Sequence, residues 1–141
     1  MPGGGTTDYA VAIFHAALEE GRYSCFLKKD TALPMMYMPD AIRATIGLME
    51  SPVQNIQVRT AYNLSAMDFT PAELAAAIRK YVPGFETRYA PDFRQQIADS
   101  WPARVIDAEA RRDWGWEPQA DMDHMVKDML QQLSKKISVA R

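Results

Sequence analysis

The stretch FTPAEL, residues 69–74, determines where a helix begins in the middle of this 141-residue chain. Thr70 occupies the N-cap position and Pro71 the first helical position. Glu73 is placed to accept a hydrogen bond from the cap amide, which completes a capping box. The helix is predicted to continue to about residue 81, since a Pro-Gly pair follows. A helix specified this strongly must be fitted into any fold that the chain adopts.

Similar signals divide the rest of the chain into short elements. Further helices are predicted at 8–20, 41–50, 107–114 and 121–136, and strands at 22–27, 34–39, 56–64 and 85–89. Thr6 or Thr7 is the expected N-cap of the first helix and Gly21 its end, and Asp40 is the expected cap of the second. Short helices and strands in mixed order, without a repeat or a linker, predict a single mixed α/β domain.

Helical spacing also predicts which side chains are buried. The predicted buried faces are Val11, Phe14, His15 and Leu18, then Ile42, Thr45, Ile46 and Met49, then Met122, Met125, Val126, Met129, Leu130 and Leu133. Packing roles are also expected for Met35, Met36, Met38, Trp114 and Trp116. His15 is expected to be a core residue, and His124 an exposed residue of the last helix. Cys25 is expected to be a buried structural thiol.

Charge and hydropathy exclude several classes of protein. The chain has 16 Lys and Arg against 18 Asp and Glu, with no basic cluster, so we expect no nucleic-acid partner. No apolar run approaches the roughly 20 residues that a membrane span needs, and no signal peptide is recognised. A single cysteine excludes an internal disulfide and favours a reducing, cytoplasmic setting.

The motifs of complete cofactor and metal sites are missing. Gly3, Gly4 and Gly5 do not form G-x-G-x-x-G and no strand precedes them. His15 and His124, with one cysteine, do not have the spacing of a zinc site. None of the six tyrosines has a lysine four positions further on. These residues alone therefore do not supply a complete catalytic apparatus.

Two segments are candidates for a binding role. GGGTTDY, residues 3–9, places flexible backbone and two hydroxyls at a helix start, where free amides and the helix dipole favour an anion. A capped helix after a flexible terminus explains the same residues. Trp101, in the polar stretch ADSWP, would either close over a ligand or fill a gap in the core.

Four longer segments stand in order over residues 2–118: PGGGTTDYAVAIFHAAL, LPMMYMPDAIRAT, YNLSAMDFTPAEL, and IADSWP with ARRDWGW. DWGWEP resembles the [LW]-G-W-x-P ending of extended short-chain dehydrogenases. MYMPDAIRAT resembles their strand-then-helix segment, with Met38 in place of the family's histidine and Asp40 as the acidic residue. Together the segments resemble the L-threonine 3-dehydrogenase branch of that family, also called the epimerase/dehydratase family.

The resemblance implies that residues 1–141 form a single substrate-binding lobe. This lobe is a mixed α/β, C-terminal half of an extended short-chain dehydrogenase and lacks most of the Rossmann sheet. The Rossmann half that would bind NAD, with its glycine-rich fingerprint and Tyr-x-x-x-Lys pair, is not among these residues. The resemblance therefore assigns no catalytic residue and no metal ligand to this chain.

The resemblance also implies binding roles for particular residues. Gly5, Thr6 and Thr7 would lie against the substrate carboxylate or the nicotinamide end of the cofactor. Trp101 would close over the substrate. Tyr37 would lie near the junction with the Rossmann half and is the one candidate here for a cofactor contact.

The implied reaction is oxidation of L-threonine to 2-amino-3-oxobutanoate with hydride transfer to NAD, in a homodimeric enzyme of the cytoplasm, or of the mitochondrion in a eukaryote. The chain alone is expected to be inactive and, with apolar surface uncovered, to self-associate. Two alternatives remain open. One is a non-catalytic truncated remnant or interaction module. The other is a lobe of a nucleotide-sugar epimerase or dehydratase, for which Arg59, Arg88 and Arg94 are the candidate diphosphate ligands.

Overall fold

A computed structural model describes residues 5–139 of the chain. The helices are α1 Tyr9–Glu19, α2 Met38–Glu50, α3 Pro71–Arg79, α4 Arg94–Asp99, α5 Ala108–Trp114 and α6 Met122–Val139. The strands are β1 Arg22–Cys25, β2 Leu33–Met35, β3 Met67–Phe69 and β4 Glu86–Tyr89, and one 3₁₀ turn spans Val53–Asn55. The predicted mixed α/β class is confirmed. None of the helices in the described range is both long and apolar enough to cross a membrane.

The strands form two small sheets. β1 and β4 are parallel, in a register that pairs Arg22 with Glu86 and Cys25 with Tyr89. β2 and β3 are antiparallel, with Leu33 opposite Phe69. Parallel strands are normally found in sheets that are covered on both faces. Here one face of the parallel pair faces the core, and the other carries exposed side chains.

The main core lies where α1, α3 and α6 pack against one another and α1 packs on β1. Its largest fully buried apolar side chains are Tyr9, Ile13, Phe14, Leu27, Leu33, Phe69, Leu74, Ile78, Phe85 and Val126. The predicted apolar face of α6 is confirmed, with Met125, Val126 and Leu130 buried. Cys25 is buried as predicted, and burial raises the pKa of its thiol.

A second, smaller cluster joins α2 to α5. Ala44, Ala110 and Trp116 are buried in it, and Trp114 packs against its edge. The indole Nε1 of Trp116 donates to the carbonyl of Ser65 at 3.1 Å. The predicted packing roles of both tryptophans are therefore confirmed.

Several predicted helix ends are confirmed. Thr70 Oγ1 accepts a hydrogen bond from the Glu73 amide at 3.2 Å, and Glu73 Oε2 accepts one from the Thr70 amide at 2.8 Å. Gly21 and Gly115 end α1 and α5 with φ of 69° and 71°, which an L side chain rarely adopts. Asp121 Oδ1 accepts from the amide of His124, whose side chain is exposed as predicted.

Two predicted caps are wrong. The N-cap of α1 is Asp8, and not Thr6 or Thr7. Asp40 does not cap α2, because that helix already begins at Met38 with Tyr37 as N-cap, which also shortens the preceding strand. A proline in the first turn of α2 suits an earlier start. The carboxylate of Asp40 instead binds a distant loop.

Part of the predicted buried face of α1 is also wrong. Val11 is 52% exposed and His15 is exposed, whereas Ile13 and Ala17 are buried. The helix is apolar around most of its circumference, so periodicity does not single out one face. Packing against β1, α3 and α6 selects the buried side.

The second region of disagreement covers α2 and residues 56–64. Ile42, Ile46 and Met49 are 55%, 48% and 80% exposed, and Met38 is 65% exposed. Residues 56–64 form no strand. Both differences have the same cause: within the described residues, no element packs on this face of α2 and no strand pairs with 56–64. Within the described residues, the predicted strand at 56–64 and the predicted buried face of α2 are therefore wrong.

Candidate functional site

The start of α1 is held by a tight turn between Gly5 and Asp8. The Asp8 amide donates to the Gly5 carbonyl at 3.2 Å, and the Gly5 amide donates to Asp8 Oδ2 at 3.1 Å. A Cβ atom at position 5 would lie 2.6 Å from Asp8 Oδ1, so a side chain there would displace the Asp8 carboxylate from this turn. Gly3 and Gly4 lie outside the described residues.

Thr6 and Thr7 occupy the middle of this turn. Thr6 is buried and Thr7 half-buried. Within residues 5–139, the amides of Thr6, Thr7 and Tyr9 donate no hydrogen bond. Unpaired amides at a helix N-terminus are suited to an anionic group such as a carboxylate. This geometry is compatible with the binding role that the resemblance implies for Gly5, Thr6 and Thr7.

A stack of aromatic and cationic side chains links the start of α1 to α4. The rings of Tyr9 and Phe26 meet edge to face at 6.3 Å, and the Arg94 guanidinium carbon lies 3.2 Å from the centroid of Phe26. Asp92 holds Arg94 through its two carboxylate oxygens, at 2.5 Å for the shortest contact. This pairing raises the pKa of Arg94 and lowers that of Asp92.

Arg94 was only a minor candidate in the sequence, and the structure gives it a defined position. The Asp8 carboxylate lies close enough to act on its charge. The sequence signal for this position is the Asp-x-Arg spacing at 92–94, which places Asp92 just before the N-cap of α4 and Arg94 at the first residue of the helix. Arg94 is therefore fixed over Phe26, with its charge paired to the Asp92 carboxylate.

Trp101 lies just after α4, where its amide donates to the Ala98 carbonyl at 3.1 Å. Its side chain is 44% exposed. The buried side chain of Gln95 anchors α4. Its Oε1 accepts a hydrogen bond from the backbone amide of Lys28 at 2.7 Å, and its Nε2 donates one to Thr31 Oγ1 at 3.0 Å. Trp101 is therefore an exposed aromatic side chain on a fixed support.

Tyr37 is placed differently. Its hydroxyl donates to Asp128 Oδ2 of α6 at 2.5 Å, and burial together with this carboxylate raises its pKa to about 12. The residue lies at the N-cap of α2, between the two core clusters. Its hydroxyl is committed to an internal contact, and a cofactor contact for Tyr37 stays a prediction.

A groove on the surface of the lobe is not formed by the candidate residues Thr6, Thr7 and Trp101. An open groove of about 910 Å³ runs along the outer side of α1 and β1, with Val11, His15 and Tyr23 among its lining residues. Thr6, Thr7 and Trp101 do not line it. Within residues 5–139 there is also no cluster of three or more side chains suited to a metal ion. The candidate site is therefore an open surface, and not a closed pocket.

Comparison with known proteins places this lobe among larger enzymes. The mitochondrial L-threonine 3-dehydrogenase of Bos taurus is 53% identical over 131 residues, which are 92% of this chain and 35% of that protein. An uncharacterized epimerase/dehydratase of Staphylococcus haemolyticus is 47% identical over 136 residues, 96% of this chain and 43% of that protein. No protein-family model matches.

Solved structures agree. The apo form of the GalE-like L-threonine dehydrogenase from Cupriavidus necator is 61% identical and superposes with a TM-score of 0.91, over 94% of this chain and 48% of that one. The chain thus spans less than half the length of these relatives and matches their C-terminal half. The predicted fold class, the C-terminal half of a short-chain dehydrogenase, is confirmed.

Proposed function

We propose that this chain is the substrate-binding portion of an NAD-dependent L-threonine 3-dehydrogenase, a single lobe spanning residues 1–141. Combined with an N-terminal Rossmann half, it would take part in oxidising L-threonine to 2-amino-3-oxobutanoate. The observation that carries this proposal is the 61% identity to an L-threonine dehydrogenase along 94% of the chain. We expect the complete enzyme to be a homodimer in the cytoplasm, or in the mitochondrion of a eukaryote.

The substrate would bind at the start of α1. The amides of Thr6 and Thr7 face no internal acceptor within the described residues, and the helix dipole favours a carboxylate there. Trp101 would cover the bound amino acid from α4, which excludes water around the reacting hydroxyl.

The residues of this chain do not fit a complete NAD site. Binding of the cofactor's diphosphate at a parallel sheet requires a glycine-rich turn between a strand and a helix. In residues 5–139, the turns that lead directly from a strand into a helix contain no glycine. NAD, which accepts the hydride in such enzymes, would therefore bind the N-terminal half.

The proposal is tested by restoring the missing half. The part of the Cupriavidus necator enzyme that precedes the matched region is joined to this chain in one polypeptide, and NADH formation from L-threonine is measured. We expect turnover by the joined protein and none by the chain alone. Trp101→Ala should lower kcat/KM for L-threonine by about tenfold or more.

Phe93→Ala is the matched control, because Phe93 is an exposed aromatic residue at the other end of α4. It should leave kcat/KM within about twofold. A folded joined protein that binds NAD and does not oxidise L-threonine would overturn the proposed function. Equal losses in both variants would remove Trp101 from the proposed substrate site.

The epimerase/dehydratase alternative is kept because relatives carry that description. The structure does not favour it, since two of the three candidate arginines have other side-chain partners. Arg94 is bound by Asp92, and Arg88 lies on the exposed face of the sheet, 3.4 Å from Ser24 Oγ. Turnover of a nucleotide sugar by the joined protein would favour this alternative. Absence of any NAD-dependent turnover would favour the non-catalytic interaction module.

A further inference from the structure

Phe26 is the residue at which α1 and α4 meet. Cys25 and Leu27 on either side of it are fully buried in the main core, and Phe26 between them is half-buried, which is the alternation of an extended segment. The ring of Tyr9 meets the Phe26 ring edge to face, and the Arg94 guanidinium lies over its face. Tyr9 is the first residue of α1 and Arg94 the first of α4. One aromatic ring therefore joins the beginnings of two helices.

Arg94 is held over this ring by a closed set of contacts. Its Nε donates to both carboxylate oxygens of Asp92, at 3.0 and 3.1 Å, and its Nη2 donates to Oδ2 at 2.5 Å. The Asp92 amide in turn donates to the Phe26 carbonyl at 3.2 Å. The Arg94 side chain is only 18% exposed. Lysine does not reproduce a guanidinium that is both stacked on a ring and bonded to a carboxylate at several points.

The rest of α4 is bonded to the same segment, residues 26–31. The Gln95 side chain, 5% exposed, forms hydrogen bonds to this segment through both Oε1 and Nε2. Its Nε2 also donates to Asp99 Oδ1, at the last residue of α4, at 2.6 Å. Trp101 follows two residues later. The position of Trp101 therefore depends on how α4 is seated on residues 26–31.

The start of α1 packs against the other side of this arrangement. Tyr9 is fully buried and directly follows the turn that contains Thr6 and Thr7. The amide of the next residue, Ala10, donates to the Thr7 carbonyl at 3.0 Å. Because protein interiors are close-packed, a smaller side chain at position 26 would allow Tyr9 and this turn to shift.

We propose that Phe26 and Arg94 are positioning residues, which set the spacing between the start of α1 and α4 and thereby the fit of the site to the side chain of its substrate. This inference rests on the proposed function, in which Thr6 and Thr7 bind the carboxylate and Trp101 covers the bound amino acid. Neither positioning residue has to touch the substrate. A site whose two parts are held at a fixed spacing discriminates by shape, and a single methyl group is enough to measure this.

The test compares L-threonine with L-serine, which lacks the methyl group, in the joined protein described above. The ratio of kcat/KM for the two substrates measures the fit. Phe26→Leu removes both ring contacts and should lower this ratio at least about fivefold, mainly through a higher KM for L-threonine. Phe26→Tyr keeps the ring and should preserve the ratio within about twofold. KM for NAD should change by less than about twofold in both variants.

Phe85→Leu is the matched control, because it makes the same substitution in the same core at the opposite end of the β1–β4 pair. Phe85 is 2% exposed, so its loss should lower stability at least as much as Phe26→Leu does. The substrate ratio should stay within about twofold of the original value. Equal falls of this ratio in both leucine variants would overturn the positioning role.

Arg94→Lys tests the stack without removing a core side chain. It keeps a positive charge beside Asp92 and loses the planar guanidinium, so the substrate ratio should fall at least about threefold. An unchanged ratio in this variant would overturn the role of the stack, even if Phe26→Leu does not fold.

Hydrogen exchange gives a measurement that does not need turnover. Arg94→Lys changes α4, so an effect on the Ala10 and Val11 amides in the first turn of α1 has to pass through Phe26. We expect these amides to exchange at least about threefold faster in the variant, with no change in α6.

The two proposals can therefore fail separately. If the joined protein oxidises L-threonine, the substrate ratio decides, and an unchanged ratio overturns the positioning role alone. If it folds, binds NAD and shows no turnover, the proposed function is contradicted and the exchange rates decide. Faster exchange at the start of α1 then supports the stack, and unchanged exchange overturns it as well.

Discussion

The carboxylate of Asp40 accepts a hydrogen bond from the amide of Ala120, 80 residues further along the chain, at 3.0 Å. The same buried carboxylate accepts from the Gln119 amide at 3.1 Å and from the Arg43 guanidinium at 2.6 Å. One side chain thus ties the first turn of α2 to the loop before α6. Although burial by itself raises its pKa, these donors lower the pKa of Asp40 below its usual value.

We therefore expect Asp40→Asn to reduce the free energy of unfolding by about 2 kcal/mol, since it removes the charge that these donors stabilise. Urea denaturation at pH 7 measures the loss. Asp68→Asn is the control, because Asp68 pairs only with the largely exposed Arg104 at 3.5 Å, and it should change stability by less than about 0.5 kcal/mol.

The charge of Asp40 also predicts how the stability loss in Asp40→Asn depends on pH. A carboxyl group whose pKa is lowered by folding stabilises the protein above its unfolded pKa of about 3.9 and loses that contribution as pH falls through the folded pKa. The stability difference between the original chain and Asp40→Asn should be constant from pH 5 to 8 and shrink below about pH 4. A difference independent of pH down to 3 would contradict the role of the charge.

The capping box of α3 gives the next prediction. Thr70→Ala removes the hydroxyl that accepts from the Glu73 amide and should cost about 1 kcal/mol in urea unfolding. Thr45→Ala is the control, because the Thr45 hydroxyl only bonds the Ala41 carbonyl on the exposed side of α2. That change should be neutral or slightly stabilising. Equal effects of the two substitutions would show that the cap is not a source of stability.

These predictions show which features could be found in the sequence. Caps and stop signals depend on a few adjacent residues, so Thr70, Gly21 and Gly115 could be assigned correctly. The exposed sides of α1 and α2 depend on which elements pack there, which no local pattern specifies. The extended residues near Tyr62 have the composition of a strand, but a strand needs a partner.

The candidate site also contains residues that the sequence suggested and a contact that it did not predict. Thr6, Thr7 and Trp101 are candidates both from their local sequence and from the resemblance, and they remain proposals, because a helix start and a tryptophan before proline occur in many structural settings. The stacking of Arg94 on Phe26 was not predicted. It joins α4 to the segment after β1, and tertiary pairs of this kind leave no periodic signal.

Two glycines are expected to respond in opposite ways to alanine. Gly115→Ala places a Cβ at φ of 71° and should destabilise by about 1 kcal/mol. Gly47→Ala lies inside α2, where the new Cβ would make ordinary contact with Trp114 at 3.7 Å, and should stabilise by about 0.5–1 kcal/mol. Thermal unfolding of both variants measures the sign of the change in stability. Destabilisation by Gly47→Ala would indicate that this part of α2 packs more tightly than described.

Two tyrosine hydroxyls provide a further contrast. The Tyr62 hydroxyl donates to Asp113 at 2.7 Å and accepts from the amides of Gln57 and Val58. Tyr62→Phe should cost about 1–2 kcal/mol. The fully buried Tyr9 hydroxyl has no partner within the described residues, so Tyr9→Phe should be neutral or stabilise by about 1 kcal/mol in the same assay. If Tyr9→Phe lowers the free energy of unfolding as much as Tyr62→Phe does, the Tyr9 hydroxyl has a hydrogen-bond partner.

The parallel pairing of β1 with β4 has a consequence for biosynthesis. Ser24 and Arg88, which face each other in this pair, are 64 residues apart in the chain. During translation, α1 and β1 leave the ribosome long before the strand that completes their sheet. The main core also needs α6, near the end of the chain. Such non-local pairing slows folding, so the parallel sheet and most of the main core can form only after β4 and α6 have been synthesised.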